Sequence, residues 1–411
     1  MRWISQQRND LASRFTLINP TNLFIEIVRG YASRYYSVMK RTRRMLFALA
    51  TLAAAAALHL VASPVFAQEK RKLIIDQDCS GPGGSNMQSV LALLNSPGTD
   101  VLGIAVVTGD QWRDEEVAHI LRLLEIIGRT DIRVYPGAEF PLLNSREEAA
   151  QWEKRYGPLI WQGAWRNNQP YHEPQVIPPM AEGAPTTKPA EEDAAHFMIR
   201  TVRQYPHEVT IFAAGPLTDL ALAQAIDPEF ASLAKELVIM GGSIDPVTKD
   251  PEFSKTPRHE FNFWMDPEAA RLVLRSPWAR IEDTTVDISI KTWTEKALIA
   301  EIAKSDTPAA QYVAKYALPY YMWDEIAAVA WLDPSIITRT QRLYLDVSID
   351  HGATYGDTLA WPPSEKPAFA GTLVDVQLDL DKAKFYKEFI DLMTRPAPGP
   401  TAASLVRLGD N

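Results

Sequence analysis

Acidic and amide side chains recur in this chain where apolar runs end. Asp76 and Asp78 close the run "KLIIDQD", and Asp110 follows "VLGIAVVTG". Ala214-Gly215 follows "VTIFA", Glu260 and Asn262 precede a helix-like stretch, and Asp324 opens "DEIAAVAWL". Hard-oxygen groups on separate strand ends can converge on one point. Calcium requires that arrangement, with six to eight oxygens drawn from carboxylates, carbonyls and waters. Taken singly, each acid has a plainer reading, because a lone Asp at a strand end commonly caps a turn or helix. A phosphate cradle at "GPGG" (81–84) is disfavoured, since the P-loop lysine is missing and the spacing is not G-x-G-x-x-G.

The elements that must position these groups are legible in the hydrophobic pattern. "KLIID" is followed by the helical "NMQSVLALLNS", and "VLGIAVVTG" by "DEEVAHILRLLEIIG", with acids in its first turn and Gly128 just past its end. Fully apolar strands separated by such helices imply βαβ units and a parallel sheet covered on both faces. The expected fold class is therefore α/β, a doubly wound, mostly parallel sheet whose site lies outside the carboxyl ends of the strands. Residues 141–190, rich in Pro, Trp, Asn and Gln, break the rhythm and read as a mostly irregular insertion suited to a lid. A second irregular stretch spans 243–259. The chain then continues through β-rich segments at 343–349 and 372–380 to a closing helix, "KAKFYKEFIDLM".

Bulk properties exclude several function classes. The 411 residues are 46% hydrophobic and 23% charged, with a net charge of −9 and no long basic stripe in the body of the chain, so nucleic acid is not an expected partner. Cys79 is the single cysteine, which excludes an intramolecular disulfide and a cysteine-based zinc cluster; the seven histidines form no H-E-x-x-H. "MKRTRR" (39–44) before a long apolar run and "PVFAQEK" reads as a signal peptide cleaved near Ala67, the alternative being an uncleaved anchor. Residues 1–67 are thus expected to be an extension and leader. Residues 68–411 would form one domain, periplasmic or secreted, with no stable membrane association after cleavage.

In their order and length, the blocks resemble those of the calcium-dependent nucleoside hydrolases over roughly residues 72–395. Asp76 and Asp78 match the first two acids of D-x-D-P-G-x-D-D, and Pro82-Gly83-Gly84 matches P-G-x after the extra residues Cys79, Ser80 and Gly81. "VLGIAVVTGD", "AAGPLTDLALA", "LVIMGGS", "HEFNFWMDPEAARLVL" and "MWDEIAAVAWLDP" match further family blocks. The resemblance implies hydrolysis of the N-glycosidic bond of ribonucleosides by a calcium-bound water, with one calcium ion and a small-molecule nucleoside as partners. It also implies a homo-oligomer, as in the dimers or tetramers of the family. Asp78 matches the proton-accepting, metal-binding acid. Ala214 matches the residue whose carbonyl coordinates the metal, and Asp324 the distal metal carboxylate. Asp76 matches the supporting acid, and Glu260 and Asn262 match groups that hold ribose hydroxyls. The cleavage passes through a ribosyl cation, which surrounding carboxylates stabilise.

The chain departs from the family at three places. Ser85 and Asn86 stand where the last two acids of the opening motif belong, a ribose-binding acid and a metal ligand. Serine can still bond a hydroxyl and asparagine can still offer a carbonyl oxygen, at the loss of two negative charges. Trp323 replaces the histidine that protonates the leaving base in many members. A tryptophan there, with Asp110, resembles purine-preferring members in which tryptophans stack on the base. Trp161, Trp165 or Trp112 could supply the other face, and His172, His259 and His351 are alternative acids. Two rival readings remain at this level: a hydrolase of another ribosyl N-glycoside, and a ribose- or nucleoside-binding protein without turnover.

Overall fold

A computed structural model describes residues 24–26, 28–36, 39–40, 70–165, 171–256, 258–400 and 404. The chain divides into two compact units, Met1–Gln68 and Glu69–Asn411. In the first, the described residues 24–26, 28–36 and 39–40 are helical. The expected leader lies outside the described residues from 41 to 67. No helix among the described residues is long and apolar enough to cross a membrane.

The second unit is built on a nine-stranded sheet. Its strands are β1 (Arg71–Gln77), β2 (Thr99–Val106), β3 (Val134–Pro136), β4 (Val209–Ala213) and β5 (Glu236–Met240), then β6 (Ile281–Thr284), β7 (Ile337–Val347), β8 (Thr358–Trp361) and β9 (Val374–Leu380). They lie in the order β3-β2-β1-β4-β5-β6-β9-β7-β8. Every pairing from β3 to β9 is parallel, while β7 runs antiparallel to both β9 and β8. The strand order reverses between β2 and β4, on either side of β1. That is where a parallel sheet opens a crevice at its carboxyl ends.

Both faces are covered, as the unbroken apolar strands demand. On one face pack α1 (Ser85–Asn95), α2 (Arg113–Ile126), α8 (Trp323–Leu332) and α9 (Lys382–Thr394), burying Leu91, Ile120, Ala327 and Phe389 against Leu73, Ile75 and Phe212. The opposite face carries α4 (Ala194–Gln204), α5 (Thr218–Ile226) and α7 (Pro267–Arg275) over Ile74, Ile211 and Ile239. The doubly wound α/β class expected from the pattern is the one observed.

The two irregular stretches contain more order than their composition suggests. Within 141–190, α3 (Arg146–Tyr156) is capped by Ser145, whose side chain accepts from Glu148 N. Trp165 and Ala149 join Trp112 and Trp264 in a small separate core. Within 243–259 lies a five-residue helix, Pro251–Lys255, capped by Asp250. Another five-residue helix, α6 (Phe261–Met265), follows at once with Glu260 as its cap. Capping and a few buried aromatics suffice to order these segments.

Candidate active site

β1, β2 and β4 end side by side and deliver the candidate acids to one point. Asp76 pairs in register with Ala105 of β2 and Ala213 of β4, so Asp78 emerges just beyond the sheet edge. Gly109, in the loop after β2, permits the closest approach: a Cβ there would lie 2.2 Å from Asp78 Oδ2. The backbone N–H of Asp110 then donates to that same oxygen at 3.2 Å. Gly215, directly after Ala214, packs against Asp78 from the β4 side. Asp324, at the start of α8, completes the group and is buried like Asp78.

The electrostatics of this cluster are those of acids crowded out of water. Burial raises the Asp78 carboxyl well above the usual carboxylate range, and Asp110 and Asp324 push it further. Asp324 is raised in the same way by burial, Glu325 and Asp110. Asp110 is raised to about 6 by burial, against the opposing hydrogen bonds from Trp161, Asn86 and Ser80. The largest influences on these carboxyls, after burial, are other acids and hydrogen bonds from Asn86, Gln77, Trp161, Ser80 and the Asp110 backbone. Buried like charges without a counter-ion favour protonation or a bound cation.

An amide and a hydroxyl stand where two more acids would be expected. Asn86 Nδ2 donates to the Asp78 carbonyl at 2.6 Å and to Asp110 Oδ2 at 3.0 Å. Its Oδ1 accepts from Ser80 Oγ and Met87 N at 3.0 and 3.2 Å. Ser85 accepts from Asp324 N at 3.0 Å and donates to Glu325 in a short hydrogen bond, so its hydroxyl joins α1 to α8. Gln77 adds a contact not anticipated from sequence. Its Nε2 donates to Ser89 Oγ and Asp324 Oδ2, at 3.0 and 3.1 Å, while its Oε1 accepts from Asp78 N at 3.0 Å. The signal for it was strand alternation, which turns the residue between two acids to the opposite face.

Other expected site residues have more structural placements. Asp76, expected at the substrate, is fully buried with its carboxyl toward Asp219, whose own carboxyl is raised to about 7 mainly by burial. Glu260, expected on a ribose hydroxyl, accepts from Gly242 N, Asn262 N and Phe263 N at 2.9, 2.8 and 3.0 Å, the helix-capping role that its sequence also allowed. Burial nevertheless lifts it to about 7. Asn262 Nδ2 donates to the Met240 carbonyl at 3.0 Å.

The aromatic candidates separate clearly. Trp112 and Trp165 are buried in the small third core, packed with Trp264 and Ala149. Trp161 and Trp323 are half-buried. Trp161 Nε1 donates to Asp110 Oδ1 at 2.8 Å, while Trp323 packs against Phe253, Tyr320 and Tyr321. The histidines are engaged elsewhere. His172 meets Glu115 at 3.0 Å, and His351 stacks on Tyr355. Burial lowers His259 to about 4, leaving it neutral and unable to act as an acid near pH 7.

A divalent cation has a donor set of the right chemistry here, although no compact group of three or more His, Cys, Asp or Glu ligands forms among the described residues. The fit rests on the unbalanced carboxyls of Asp78 and Asp324, both nearly inaccessible to solvent and without an ion pair to Lys or Arg among the described residues. Asn86 contributes an oxygen to a cation if its amide turns over, giving up its bonds from Ser80 and Met87 and those to the Asp78 carbonyl and Asp110.

The chain resembles known proteins over most of its length. The model of the inosine-uridine preferring nucleoside hydrolases matches residues 73–387. A probable uridine nucleosidase 2 of Arabidopsis thaliana is 31% identical, over 66% of this chain and 77% of its own length. The inosine-uridine preferring nucleoside hydrolase of Crithidia fasciculata is 24% identical over 79% of this chain and 98% of its own length. A purine-preferring ribonucleoside hydrolase from Gardnerella vaginalis superposes with a TM-score of 0.61 at 20% identity, covering 79% of this chain and 98% of its own, which establishes likeness of fold. With the sheet, the strand-end acids and a match spanning most of the sequence in place, the chain belongs to the inosine-uridine preferring nucleoside hydrolase family and is a hydrolase acting on N-glycosyl bonds.

Proposed function

We propose that the chain hydrolyses purine ribonucleosides to free base and ribose, with calcium bound by Asp78, Asn86, Asp324 and the Ala214 carbonyl. The observation that carries this reading is the placement of Asp78 against Asp110 and near Asp324, flanked by half-buried Trp161 and Trp323. In this reading Asp78 accepts a proton from the attacking water. Its neighbours stabilise positive charge as it develops on the ribose. Asp110 and Asn262 orient the sugar, Ser85 and Glu260 hold the surrounding helices in place, and Asp76 supports the acid cluster from beneath. A bound divalent cation supplies the positive charge that keeps Asp78 ionised and acidifies water beside it. Trp323 and Trp161 favour the larger π-face of a purine.

We further propose that residues 1–67 direct export, that residues 68–411 act as the mature enzyme outside the cytoplasm, and that it assembles as a homo-oligomer. Reducing-sugar release from inosine, guanosine, adenosine, uridine and cytidine, in calcium and in chelator, tests the reading. Faster turnover of purines, lost in chelator and restored by calcium, is expected. Nucleoside binding without release in excess calcium would overturn it in favour of a binding protein.

A further inference from the structure

Two histidines join the 141–190 insertion to α2 beside the opening loop. His119, buried on α2, hydrogen-bonds Glu182 of the insertion through Nδ1. Its Nε2 lies 3.8 Å from Glu115 Oε1, one turn earlier on the same helix. The other Glu115 oxygen meets His172 Nε2 of the insertion at 3.0 Å, and His172 Nδ1 meets the Glu173 carbonyl at 3.0 Å. Arg122 Nε donates to the Glu182 carbonyl at 2.9 Å, and Trp112 Nε1 to the His172 carbonyl at 2.9 Å. The opening loop closes over the same ring. Gly81, at φ +101°, stands so near that a Cβ would lie 2.8 Å from His119 Cε1 and Nε2. Its neighbour Ser80 donates to Asn86 Oδ1 at 3.0 Å and also bonds Asp110. Insertion, helix and opening loop therefore meet at His119.

The contacts define the charge state of the ring. A neutral imidazole carries one N–H, whereas His119 has a carboxylate at each nitrogen; only the imidazolium donates toward both. Glu115 and Glu182 are themselves buried, so the ring's charge also offsets negative charge that would be costly if left unpaired. Other titratable groups around the cluster are His172 on Glu115, Arg122 at the Glu182 backbone, and Tyr312 of the helix Pro308–Tyr316, which senses Glu182 and Cys79. Burial alone would lower the pKa of the ring; the Glu115 and Glu182 carboxylates outweigh it and hold the value above the ordinary 6.5. The contribution of the charged ring is therefore complete below pH 6.5 and is lost as pH rises through the raised value.

We propose that His119 is a positioning residue: as an imidazolium shared between Glu182 and Glu115 it fastens the insertion to α2 and holds the opening loop, through Gly81, where Ser80 reaches Asn86. Loss of the ring's proton leaves one of the two carboxylates without its donor. The insertion is then freed from α2, and the support beneath Gly81 goes with it. Ser80 no longer keeps Asn86 and Asp110 in register with Asp78. The consequence for turnover rests on the nucleoside hydrolase reading above; the fastening itself does not.

Cys79, the single cysteine, is buried two residues from Gly81 and reports on the loop directly. Its labelling by a dipyridyl disulfide is compared, at matched pH and in the full chain, between wild type, His119→Gln, Glu182→Gln and the double variant. At pH 6, His119→Gln strands the Glu182 carboxylate and should label about tenfold or more faster than wild type. Near pH 9 wild type has lost its proton as well, and the ratio should fall to within about twofold. The double variant removes the stranded carboxylate, leaves Glu115 its His172 contact, and should label more slowly than His119→Gln. Glu182→Gln alters the insertion and not the helix, so it carries the test if His119→Gln does not fold; at pH 6 it should label about threefold or more faster than wild type. Turnover of the purine nucleoside that wild type cleaves fastest should follow the loop. For His119→Gln, kcat/KM should be about tenfold below wild type at pH 6 and nearly equal to it near pH 9. Labelling by both single variants equal to wild type at pH 6, a ratio that persists near pH 9, or turnover that ignores the change in labelling would overturn the assignment. A wild type that labels as expected but releases sugar from no nucleoside would overturn the hydrolase reading while supporting the fastening.

Discussion

The site depends on acids that the fold holds under electrostatic stress. Asp78 is buried, crowded by Asp110 and Asp324, and makes no ion pair with Lys or Arg among the described residues. Exchanging it for asparagine removes the proton acceptor and also relieves the crowding. Asp78→Asn should therefore lose at least about 10²-fold in kcat, while its melting temperature in chelator is equal to or above that of wild type. A large drop in melting temperature would show Asp78 to be structural. Asp219 gives a second test. In the folded protein its pKa is about 7, against 3.8 ordinarily. Between those values the folded state holds a proton that the unfolded state has released, so stability is full below pH 4 and is lost as pH rises through 7. Asp219→Asn, which needs no such proton, should be more stable than wild type at pH 8 by on the order of 2 kcal/mol. The two should converge near pH 4, as denaturant melts at both pH values will show.

Among the elements, loop geometry holds the acids in place more than side-chain chemistry does. Gly83 has φ +99°, and a Cβ there would lie 1.9 Å from the Tyr316 carbonyl oxygen. Its own carbonyl accepts from Leu318 N at 3.2 Å, tying the opening loop to the segment before α8. Gly83→Ala would strain backbone against backbone and should cost about 2–3 kcal/mol in a urea melt. At Gly109 the obstacle is the Asp78 side chain itself, so Gly109→Ala should act on catalysis. A displacement of about 1 Å there corresponds to a loss of about 10²-fold in kcat/KM. An unchanged rate would mean that the Asp78 position is not critical.

Much of this organisation is legible in the sequence, for physical reasons that differ by element. The parallel core follows from unbroken apolar strands between helices, because only a sheet buried on both faces tolerates them. The nearness of Asp78 and Asp110 follows because the carboxyl ends of β1 and β2 lie side by side, while Asp324 arrives from the start of α8. The contacts of Gln77 and Asp219 are made far along the chain, as from Gln77 to Asp324, so local pattern sets the face on which Gln77 lies but not its partners. The "EFN" block shows the opposite difficulty: a carboxylate in a helix-capping position reads equally well as a ligand.

At the scale of the whole molecule, folding and cation binding should be linked. The acids gathered by β1, β2 and α8 oppose one another in the folded state, so a divalent cation that binds only there stabilises the fold. With calcium at about 100 times its dissociation constant the gain is about 2.7 kcal/mol, read as a rise in melting temperature that Asp324→Asn abolishes. The account's central claim is that this assembly performs hydrolysis at the glycosidic carbon through Asp78. Its most direct test is the incubation of inosine with wild type and with Asp78→Asn in ¹⁸O-labelled water, followed by mass spectrometry of both products. The account predicts hypoxanthine free of label and ribose carrying one ¹⁸O from wild type, with at most trace amounts of either from the variant. Undiminished release by Asp78→Asn, or no release by wild type from inosine or any other purine nucleoside, would contradict it.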